Sequence, residues 1–218
     1  MKTCVIIPTY NESLAISNVI REVQKHGLDI VVIDDGSTDN TVEVAIKTGA
    51  VVLRNEINQG KGASLVRGFD YALSKGYDAV ITMDGDGQHS PREIAGFLKA
   101  AAGSGAGIYI GNRMGMTKGM PWLRILTNQF MSWLISLAAK QKIPDTQCGY
   151  RLIKKPVLEK VRLETSKYET ESEILIKTSR LGFKIESVGI ETIYSGEKSQ
   201  INPFIDTLRF IKFIAKEL

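Results

Sequence analysis

Short apolar runs alternate with helical stripes of apolar residues through the first half of the chain. The apolar runs predict strands at residues 3–7, 30–33, 50–53, 79–83 and 107–110. Helical spacing predicts helices at residues 13–23, 38–47 and 62–74, with a further helix beginning near Ser90. Fully apolar strands that alternate with helices are typical of an α/β fold, with a mostly parallel sheet and helices on both faces.

The second half of the chain has a different pattern. It predicts helices at residues 122–140, 154–160, 171–181 and 204–216, and strands near residues 184–188 and 191–194. The first and last of these helices are amphipathic, and the last is basic. No linker rich in Pro, Gly or Ser, no internal repeat and no low-complexity tract interrupts the sequence, so we expect one domain spanning residues 1–218.

Two finer points follow from the same pattern. Ser37 or Thr38 is expected to cap the helix at residues 38–47. The large apolar side chains of the helix at residues 122–140 are expected in the core rather than at a membrane surface, although Trp122 and Trp133 suit either place. These side chains are Trp122, Phe130, Met131, Trp133, Leu134 and Leu137.

The composition is that of a soluble globular protein and places it in a reducing compartment. Hydrophobic residues make up 43% and charged residues 24%, which excludes global disorder, collagen and coiled coil. Cys4 and Cys148 are too few for a disulfide framework. No secretory signal and no apolar run of about 18 residues is visible, so we expect a cytoplasmic protein without a membrane span.

Positive charge is concentrated in the middle of the chain. The formal net charge is +4, yet residues 113–160 hold nine Lys and Arg against two Asp and Glu. The flanking residues 1–112 and 161–218 are slightly acidic and neutral. An anionic partner or the surface of a membrane is therefore expected at the basic block, with an ordinary solvated surface as the alternative.

The sharpest chemical signal follows the predicted strand at residues 79–83. Asp84 and Asp86 flank a glycine there, and Gln88 adds a neutral oxygen two residues later. Two carboxylates on one tight turn can meet a divalent cation such as Mg²⁺ or Mn²⁺, which often shares its oxygen ligands with substrate phosphates. The alternative is a solvated turn without a metal. His89 is a candidate support for these ligands, with a surface role as its alternative.

Three other polar motifs also follow predicted strands or open a helix. Asp34 and Asp35 end the second strand, where a carboxylate can accept hydrogen bonds from a base or ribose. Tyr10 follows the first strand and has a ring that can stack on a base. Lys61 lies in a glycine-rich segment at residues 58–63 and can neutralise phosphate, although the spacing is not that of a Walker loop.

Taken together and in this order, these motifs resemble family 2 glycosyltransferases with the GT-A (Rossmann-like) fold. The similar segments are residues 5–12 (VIIPTYNE), 33–39 (IDDGSTD), 58–62 (NQGKG) and 84–89 (DGDGQH). Residues 145–152 (DTQCGYRL) and 168–176 (YETESEILI) further resemble the dolichyl-phosphate mannose synthase and polyprenyl-phosphate glycosyltransferase branch. The resemblance covers nearly the whole chain.

The resemblance implies a metal-dependent, inverting transfer from a nucleotide-sugar donor, with donor binding in residues 1–112. The implied nucleotide-binding residues are Pro8, Tyr10, Glu12, Asp35 and Lys61. The residues implied around the metal and the donor diphosphate are Asp84, Asp86 and Gln88. Lys198, near the end of the chain, could fill the place of a basic residue that some relatives set against the diphosphate.

Residues 113–218 are expected to form the acceptor-binding half. Arg113 and Arg124 are our choices for holding an acceptor phosphate. Asp145 resembles a branch aspartate near the reacting centre, and it could either orient the acceptor or act as a base for a hydroxyl acceptor. The expected partners are a UDP- or GDP-sugar, a polyprenyl phosphate and a peripheral membrane surface at the cytoplasmic face, without nucleic acid.

Two other functions stay open at this point. One is a soluble family member that moves sugar to a saccharide or protein hydroxyl. The other is a nucleotide-binding or membrane-surface adaptor that has lost activity, which the intact Asp84, Asp86 and Gln88 set argues against.

Overall fold

A computed structural model of the chain describes residues 1–117 and 119–191, together with Phe210, Phe213, Ile214 and Glu217. Its strands are β1 (Thr3–Thr9), β2 (Asp29–Asp34), β3 (Val51–Arg54), β4 (Ala79–Thr82), β5 (Ile108–Asn112), β6 (Arg151–Lys154) and β7 (Ile185–Gly189). Its helices are α1 (Ile16–Gln24), α2 (Thr41–Lys47), α3 (Lys61–Ser74), α4 (Ile94–Gly103), α5 (Trp122–Ala139), α6 (Lys155–Lys160) and α7 (Thr170–Arg180), and a 3₁₀ turn, Pro91–Glu93, precedes α4.

The seven strands form one sheet in the order β3-β2-β1-β4-β6-β5-β7. All neighbours pair in parallel except β6, which runs antiparallel to both β4 and β5. The central strands β1, β2 and β4 are buried along almost their whole length, as their unbroken apolar sequences predict. The predicted α/β fold with a mostly parallel sheet is therefore confirmed.

Strand β6 was not predicted from the sequence. It has four residues, and the pattern of residues 151–154 gives neither the length nor the alternation that marks a strand. Its place is set by its two neighbours, since Leu152 pairs with Ile81 of β4 and with Tyr109 of β5. Burial between two strands, rather than local propensity, makes this segment extended.

Helix α2 begins at Thr41, so the prediction that Ser37 or Thr38 caps it is wrong. Both residues bond instead to Asn11 in the loop after β1. The Asn11 N–H donates to Ser37 Oγ at 2.9 Å, and Asn11 Oδ1 accepts from the Thr38 N–H at 2.8 Å. These bonds tie the loop between β2 and α2 to the loop after β1, and α2 begins only after the tied residues.

The expectation that the large apolar side chains of α5 lie in the core is wrong for Phe130 and Leu137, and Trp122 and Trp133, which suited either place, are exposed as well. Those four are strongly exposed, at 54–71% of their surface, whereas Met131 and Leu134 pack partly against the core. The exposed four are Trp122, Phe130, Trp133 and Leu137, and Leu123 and Leu126 join them. Helical periodicity shows that two faces exist but cannot decide which one is buried. The residues that α5 buries are Asn128, Ser132, Ile135, Ala138 and Ala139.

Parts of three predictions lie outside the described residues. They are the strand at residues 191–194 beyond Glu191, most of the helix at residues 204–216, and the placement of Lys198. Within that helix, the side chains of Phe210, Phe213 and Ile214 are buried.

Close packing of α3 on the sheet depends on a glycine. A Cβ atom at Gly68 would lie 2.7 Å from Ile6 Cγ2 and 3.4 Å from Ile33 Cγ1, and both partners are fully buried, β-branched side chains. Because such side chains have little rotamer freedom, they cannot move aside for an added methyl group. The hydrogen side chain of Gly68 therefore sets the distance between α3 and the first two strands.

We expect Gly68→Ala to lower the free energy of unfolding by about 1–3 kcal/mol through overpacking. Gly96→Ala in α4 is the matched control, because its added Cβ would meet Val188 Cγ1 at an ordinary 3.5 Å. That control should be neutral or stabilising by about 0.5–1 kcal/mol, the usual gain from replacing a helical glycine. Urea unfolding of both variants measures the difference, and equal stability of the two would contradict the packing described.

Candidate active site

The polar motifs meet at one edge of the sheet. Strands β1, β2, β4 and β5 all end there, because they run in the same direction. Strand β6 begins at the same edge, since its first residue, Arg151, pairs with Thr82 and Ile110. The loops that follow residues 9, 34, 82 and 112, and the segment that enters β6, therefore surround a common space, as is usual for ligand sites in such sheets.

The loop after β1 is tied to the loop after β2. Asn11 has a positive φ of 58°, and its bonds to Ser37 and Thr38 join the two loops. The Glu12 N–H donates to Thr41 Oγ1 at 2.8 Å. Pro8, Tyr10 and Glu12, the predicted nucleotide-binding residues of this loop, are each half-buried at the edge of the sheet.

Asp35 organises the segment that leads to α3. Its Oδ1 accepts from Asn55 Nδ2 at 2.8 Å and from the Gln59 N–H at 2.9 Å, and its Oδ2 accepts from the Gly60 N–H at 2.8 Å. The carboxylate is buried, so these bonds replace its lost hydration. Asp35 thereby fixes the backbone immediately before Lys61.

The two glycines that flank Lys61 leave room for residues 166–170, which pack against them. A Cβ at Gly62 would lie 2.0 Å from Thr170 Oγ1, and one at Gly60 would lie 2.7 Å from the Ser166 carbonyl oxygen. The Ala63 N–H in the first turn of α3 donates to that same carbonyl at 3.0 Å. These glycines allow the segment that leads into α7 to pack against the start of α3.

Lys61 joins two carboxylates from distant parts of the chain. Its Nζ lies 2.7 Å from Asp84 Oδ1 and 3.3 Å from Glu171 Oε2. Burial disfavours the ammonium form, but the two carboxylates overcome this effect and raise the pKa of Lys61. Gly149 packs directly against this cluster, since a Cβ there would lie 2.8 Å from Glu171 Oε1 and 3.0 Å from Lys61 Nζ.

Glu171 was not among the predicted site residues. The one available signal is its position inside the 168–176 motif, which resembles the polyprenyl-phosphate branch. Spacing alone could not select it, because Glu164, Glu169 and Glu173 lie nearby in the sequence. Glu173, for example, is buried and serves the local fold by accepting from the Glu164 and Thr165 N–H groups.

The turn with Asp84 and Asp86 is held from both sides. The Gln88 N–H donates to Asp86 Oδ1 at 2.9 Å, and the Asp84 N–H donates to His89 Nδ1 at 3.0 Å. His89 is 4% exposed and stacks on Tyr150 with ring centroids 5.1 Å apart. His89 therefore supports the turn from the interior, as the sequence suggested, and its surface alternative is wrong.

The two carboxylates of this turn have opposite electrostatic surroundings. Burial disfavours the charged form of Asp84, yet Lys61 and His89 outweigh it and lower the Asp84 pKa to about 2. Burial and the negative charge of Asp84 instead raise the pKa of Asp86. Lys61 neutralises Asp84, so the neighbouring carboxylate of Asp86 leaves negative charge at this turn when it is ionised.

The residues present fit a divalent cation that shares its ligands with a substrate. Across residues 1–117 and 119–191 and the four described residues beyond them, no group of three or more His, Cys, Asp and Glu side chains forms a metal cluster. Asp84, Asp86 and Gln88 offer two carboxylates and one amide oxygen on one turn. Mg²⁺ commonly binds through one or two carboxylates together with substrate phosphates, so this set fits such an ion.

Arg113 and Asp145 form a buried ion pair. Arg113 Nε donates to Asp145 Oδ2 at 2.7 Å, Nη2 donates to Oδ1 at 2.8 Å, and the backbone N–H of Arg113 also donates to Oδ2 at 3.1 Å. Asp145 is fully buried and Arg113 is 6% exposed. The structure thus brings these two predicted residues together, with both carboxylate oxygens engaged by the guanidinium.

Arg151 joins this pair to the Lys61 cluster. Its buried guanidinium donates to the carbonyl oxygens of Thr146 at 3.1 Å, Cys148 at 2.9 Å and Glu171 at 2.5 Å. Burial lowers the pKa of Arg151. The loop that carries Asp145 and the first turn of α7 are therefore fixed relative to each other.

Arg124 is exposed in the first turn of α5. Among the described helices, none is long and apolar enough to cross a membrane. The predicted role of Arg124 at an acceptor phosphate stays a prediction.

The model of the family described as glycosyl transferase family 2 matches residues 4–162. The chain belongs to this family. It is accordingly a glycosyltransferase, and the resemblance of its sequence motifs to family 2 glycosyltransferases is confirmed.

Relatives that act on polyprenyl phosphates are among the similar proteins. A UDP-N-acetylglucosamine–dolichyl-phosphate N-acetylglucosaminyltransferase of Methanococcus voltae is 30% identical over 87% of this chain and 85% of its own. A polyprenol monophosphomannose synthase of Mycolicibacterium smegmatis is 31% identical over 87% of this chain and 76% of its own.

A solved structure has the same fold. Glucosyl-3-phosphoglycerate synthase from Mycobacterium tuberculosis, in complex with Mn²⁺, uridine diphosphate and glucosyl-3-phosphoglycerate, superposes with a TM-score of 0.78. The match covers 99% of this chain and 79% of the other at 19% identity. The GT-A fold is therefore shown.

We expect Asp145→Ala to lower the free energy of unfolding by about 3–5 kcal/mol, because it removes the carboxylate that neutralises a buried guanidinium. Glu159→Ala, which breaks the exposed Lys155–Glu159 pair, is the matched control and should cost about 0.5 kcal/mol or less. The double variant Arg113→Met with Asp145→Leu should recover much of the loss. Denaturant unfolding measures all three, and an Asp145→Ala variant as stable as the control would contradict this assignment.

Proposed function

We propose that this glycosyltransferase uses Mg²⁺ or Mn²⁺ to transfer a sugar, with inversion, from a UDP- or GDP-sugar to a polyprenyl phosphate. The reaction takes place at the cytoplasmic face of a membrane, to which the protein binds peripherally. The observation that carries the proposal is the joint placement, at one sheet edge, of a carboxylate turn, Lys61 and the buried Arg113.

Residues 1–112 serve the donor in this proposal. Pro8, Tyr10, Glu12 and Asp35 bind the nucleoside, and Lys61 faces the diphosphate. The bonds that Asp35 makes to the Gln59 and Gly60 N–H groups support this role, because they preorganise the loop before Lys61. The Mn²⁺ and uridine diphosphate in the structural neighbour support a metal-bound nucleotide donor.

Asp84, Asp86 and Gln88 would hold the divalent ion, and Lys198 is proposed as a further cation for the diphosphate. The ion supplies charge that stabilises the leaving nucleoside diphosphate. Within the chain, His89 keeps the backbone of Asp84 in place, and Lys61 can offset phosphate charge next to it.

Residues 113–218 serve the acceptor. A phosphate acceptor is already ionised near neutral pH, so it needs cations to hold it rather than a base to deprotonate it. Arg113 and Arg124 supply those cations. Both oxygens of Asp145 accept bonds from Arg113, which favours an orienting role for Asp145 over a role as base. The activities of the two polyprenyl-phosphate relatives support this acceptor class.

The exposed face of α5 is the proposed membrane contact. We define the α5 apolar face as Trp122, Leu123, Leu126, Phe130, Trp133 and Leu137, all more than half exposed. The phenyl and indole rings of Phe130 and Trp133 are neighbours, with centroids 6.1 Å apart. An amphipathic helix of this kind lies in the interface, with its apolar side dipping below the headgroups. The basic block at residues 113–160 adds attraction to anionic lipids.

Binding of nucleoside diphosphate should depend on a divalent metal. We expect Asp86→Ala to lose the metal-dependent part of UDP or GDP affinity, about tenfold or more, because a charged ligand of the cation is removed. Asp70→Ala, an exposed change on α3, is the control for loss of one negative charge. Calorimetry with Mn²⁺ and with EDTA measures this, and equal affinity of the unmodified protein in both conditions would rule out the metal.

Membrane association should be peripheral and sensitive to salt. The unmodified protein should float with anionic vesicles at low salt and be released at high salt, because ions screen the basic block. Phe130→Glu with Trp133→Glu should abolish flotation without loss of stability, since both side chains are exposed. Leu14→Glu, at a residue that is 98% exposed outside α5, is the control and should still float.

Two outcomes of the flotation experiment would contradict the proposed location. Protein that never floats at low salt would favour a soluble saccharide or protein hydroxyl as acceptor. Protein that stays on vesicles through high salt and carbonate would indicate a deeper anchor.

A further inference from the structure

The Lys61 ammonium and a divalent ion bound at the turn with Asp84 and Asp86 would both contact the carboxylate of Asp84. Lys61 Nζ lies 2.7 Å from Asp84 Oδ1, one of the oxygens proposed to bind the divalent ion. The Lys61 side chain is only 20% exposed, so its charge is poorly screened by water. A divalent ion on Asp84 and the ammonium on the same carboxylate repel each other at this distance. Entry of the ion therefore requires Lys61 to have another partner.

Glu171 is that other partner. Its Oε2 lies 3.3 Å from Lys61 Nζ, and its side chain is 17% exposed. It enters the site from the first turn of α7, in the half of the chain assigned to the acceptor. Asp84 and Glu171 are the two acidic side chains that form ion pairs with Lys61 among the described residues.

The position of Glu171 is set by backbone packing rather than by a flexible surface contact. Arg151 donates to the Glu171 carbonyl oxygen, and Gly62 lets Thr170 approach the start of α3. The Ala63 N–H donates to the Ser166 carbonyl oxygen just before α7. The backbones that carry Lys61 and Glu171 are therefore locked together, and their side chains meet at a defined place.

From this geometry we infer that Glu171 is a positioning residue, which gives Lys61 a second carboxylate to pair with when a divalent ion binds Asp84, and so sets the affinity of the turn for its cation. The inference rests on the proposed metal-dependent function and deepens it. Glu171 acts through Lys61 and does not itself bind the ion. When Lys61 loses this partner, it pairs with Asp84 alone and competes more strongly with the metal.

The test is a set of Mn²⁺ titrations without nucleotide or turnover, followed by the electron paramagnetic resonance signal of free Mn²⁺. Glu171→Gln should bind Mn²⁺ roughly three- to tenfold more weakly than the unmodified protein. Lys61→Met should bind it roughly three- to tenfold more tightly, because the competing ammonium is gone. The double variant should match Lys61→Met within about twofold, since Glu171 then has no lysine to hold.

Glu159→Gln is the control for loss of one negative charge. Glu159 lies on α6, which follows β6 at the opposite edge of the sheet, where Lys154 pairs with Ala79 at the start of β4. Its Mn²⁺ affinity should not change. Thermal unfolding of each variant checks that the fold is retained, and Glu171→Asp provides a second variant that keeps the charge if Glu171→Gln unfolds.

Two results would overturn the inference about Glu171, and a third would overturn the proposed metal dependence. Unchanged Mn²⁺ affinity of Glu171→Gln would remove Glu171 from this role. An equal loss from Glu171→Gln in the presence and absence of Lys61 would show that Glu171 attracts the ion directly. Failure of the unmodified protein to bind Mn²⁺, with or without UDP or GDP, would instead overturn the proposed metal dependence.

Discussion

Parallel hydrogen bonding of β1 with β2 and with β4 is the constraint on which the rest of the molecule depends. Because these strands run together, Thr9, Asp34 and Thr82 end at one edge, and the functional loops leave from there. A slip of one residue in β2 would turn its side chains to the opposite faces. Asp35 could then no longer accept from Gln59 and Gly60, and Lys61 would lose its place beside the carboxylate turn.

The site concentrates negative charge that the protein balances with its own groups. Asp35 is satisfied mainly by backbone N–H groups, Asp84 and Glu171 by Lys61, and Asp145 by Arg113. Buried carboxylates need such partners, because desolvation without them costs several kcal/mol, as a rough figure. The partners also fix geometry, so the edge is organised before any substrate arrives.

Helix α5 links this edge to the proposed lipid surface. Two serines on its buried side bond to the chain on either side of Asp145: Ser132 Oγ accepts from the Thr146 N–H at 2.9 Å, and Ser136 Oγ accepts from the Ile143 N–H at 3.0 Å. Its opposite side is the α5 apolar face. One helix thus lies between a candidate membrane surface and the Arg113–Asp145 pair, which suits the proposed acceptor, in which a phosphate is joined to a lipid chain.

The amino-acid sequence by itself determined the strands of the sheet other than β6, together with the polar loops that follow them, because both depend on local properties. An apolar run such as residues 30–33 has to be buried, and the carboxylates after it have to reach its end. The exposed side of α5, the strand β6 and the contact of Glu171 with Lys61 were decided only by tertiary structure. Periodicity leaves the buried face of a helix open, and β6 is extended because two strands enclose it. Lys61, Asp84 and Glu171 meet because the chain returns to one sheet edge three times, and no local pattern encodes which charges a fold will bring within 3.3 Å.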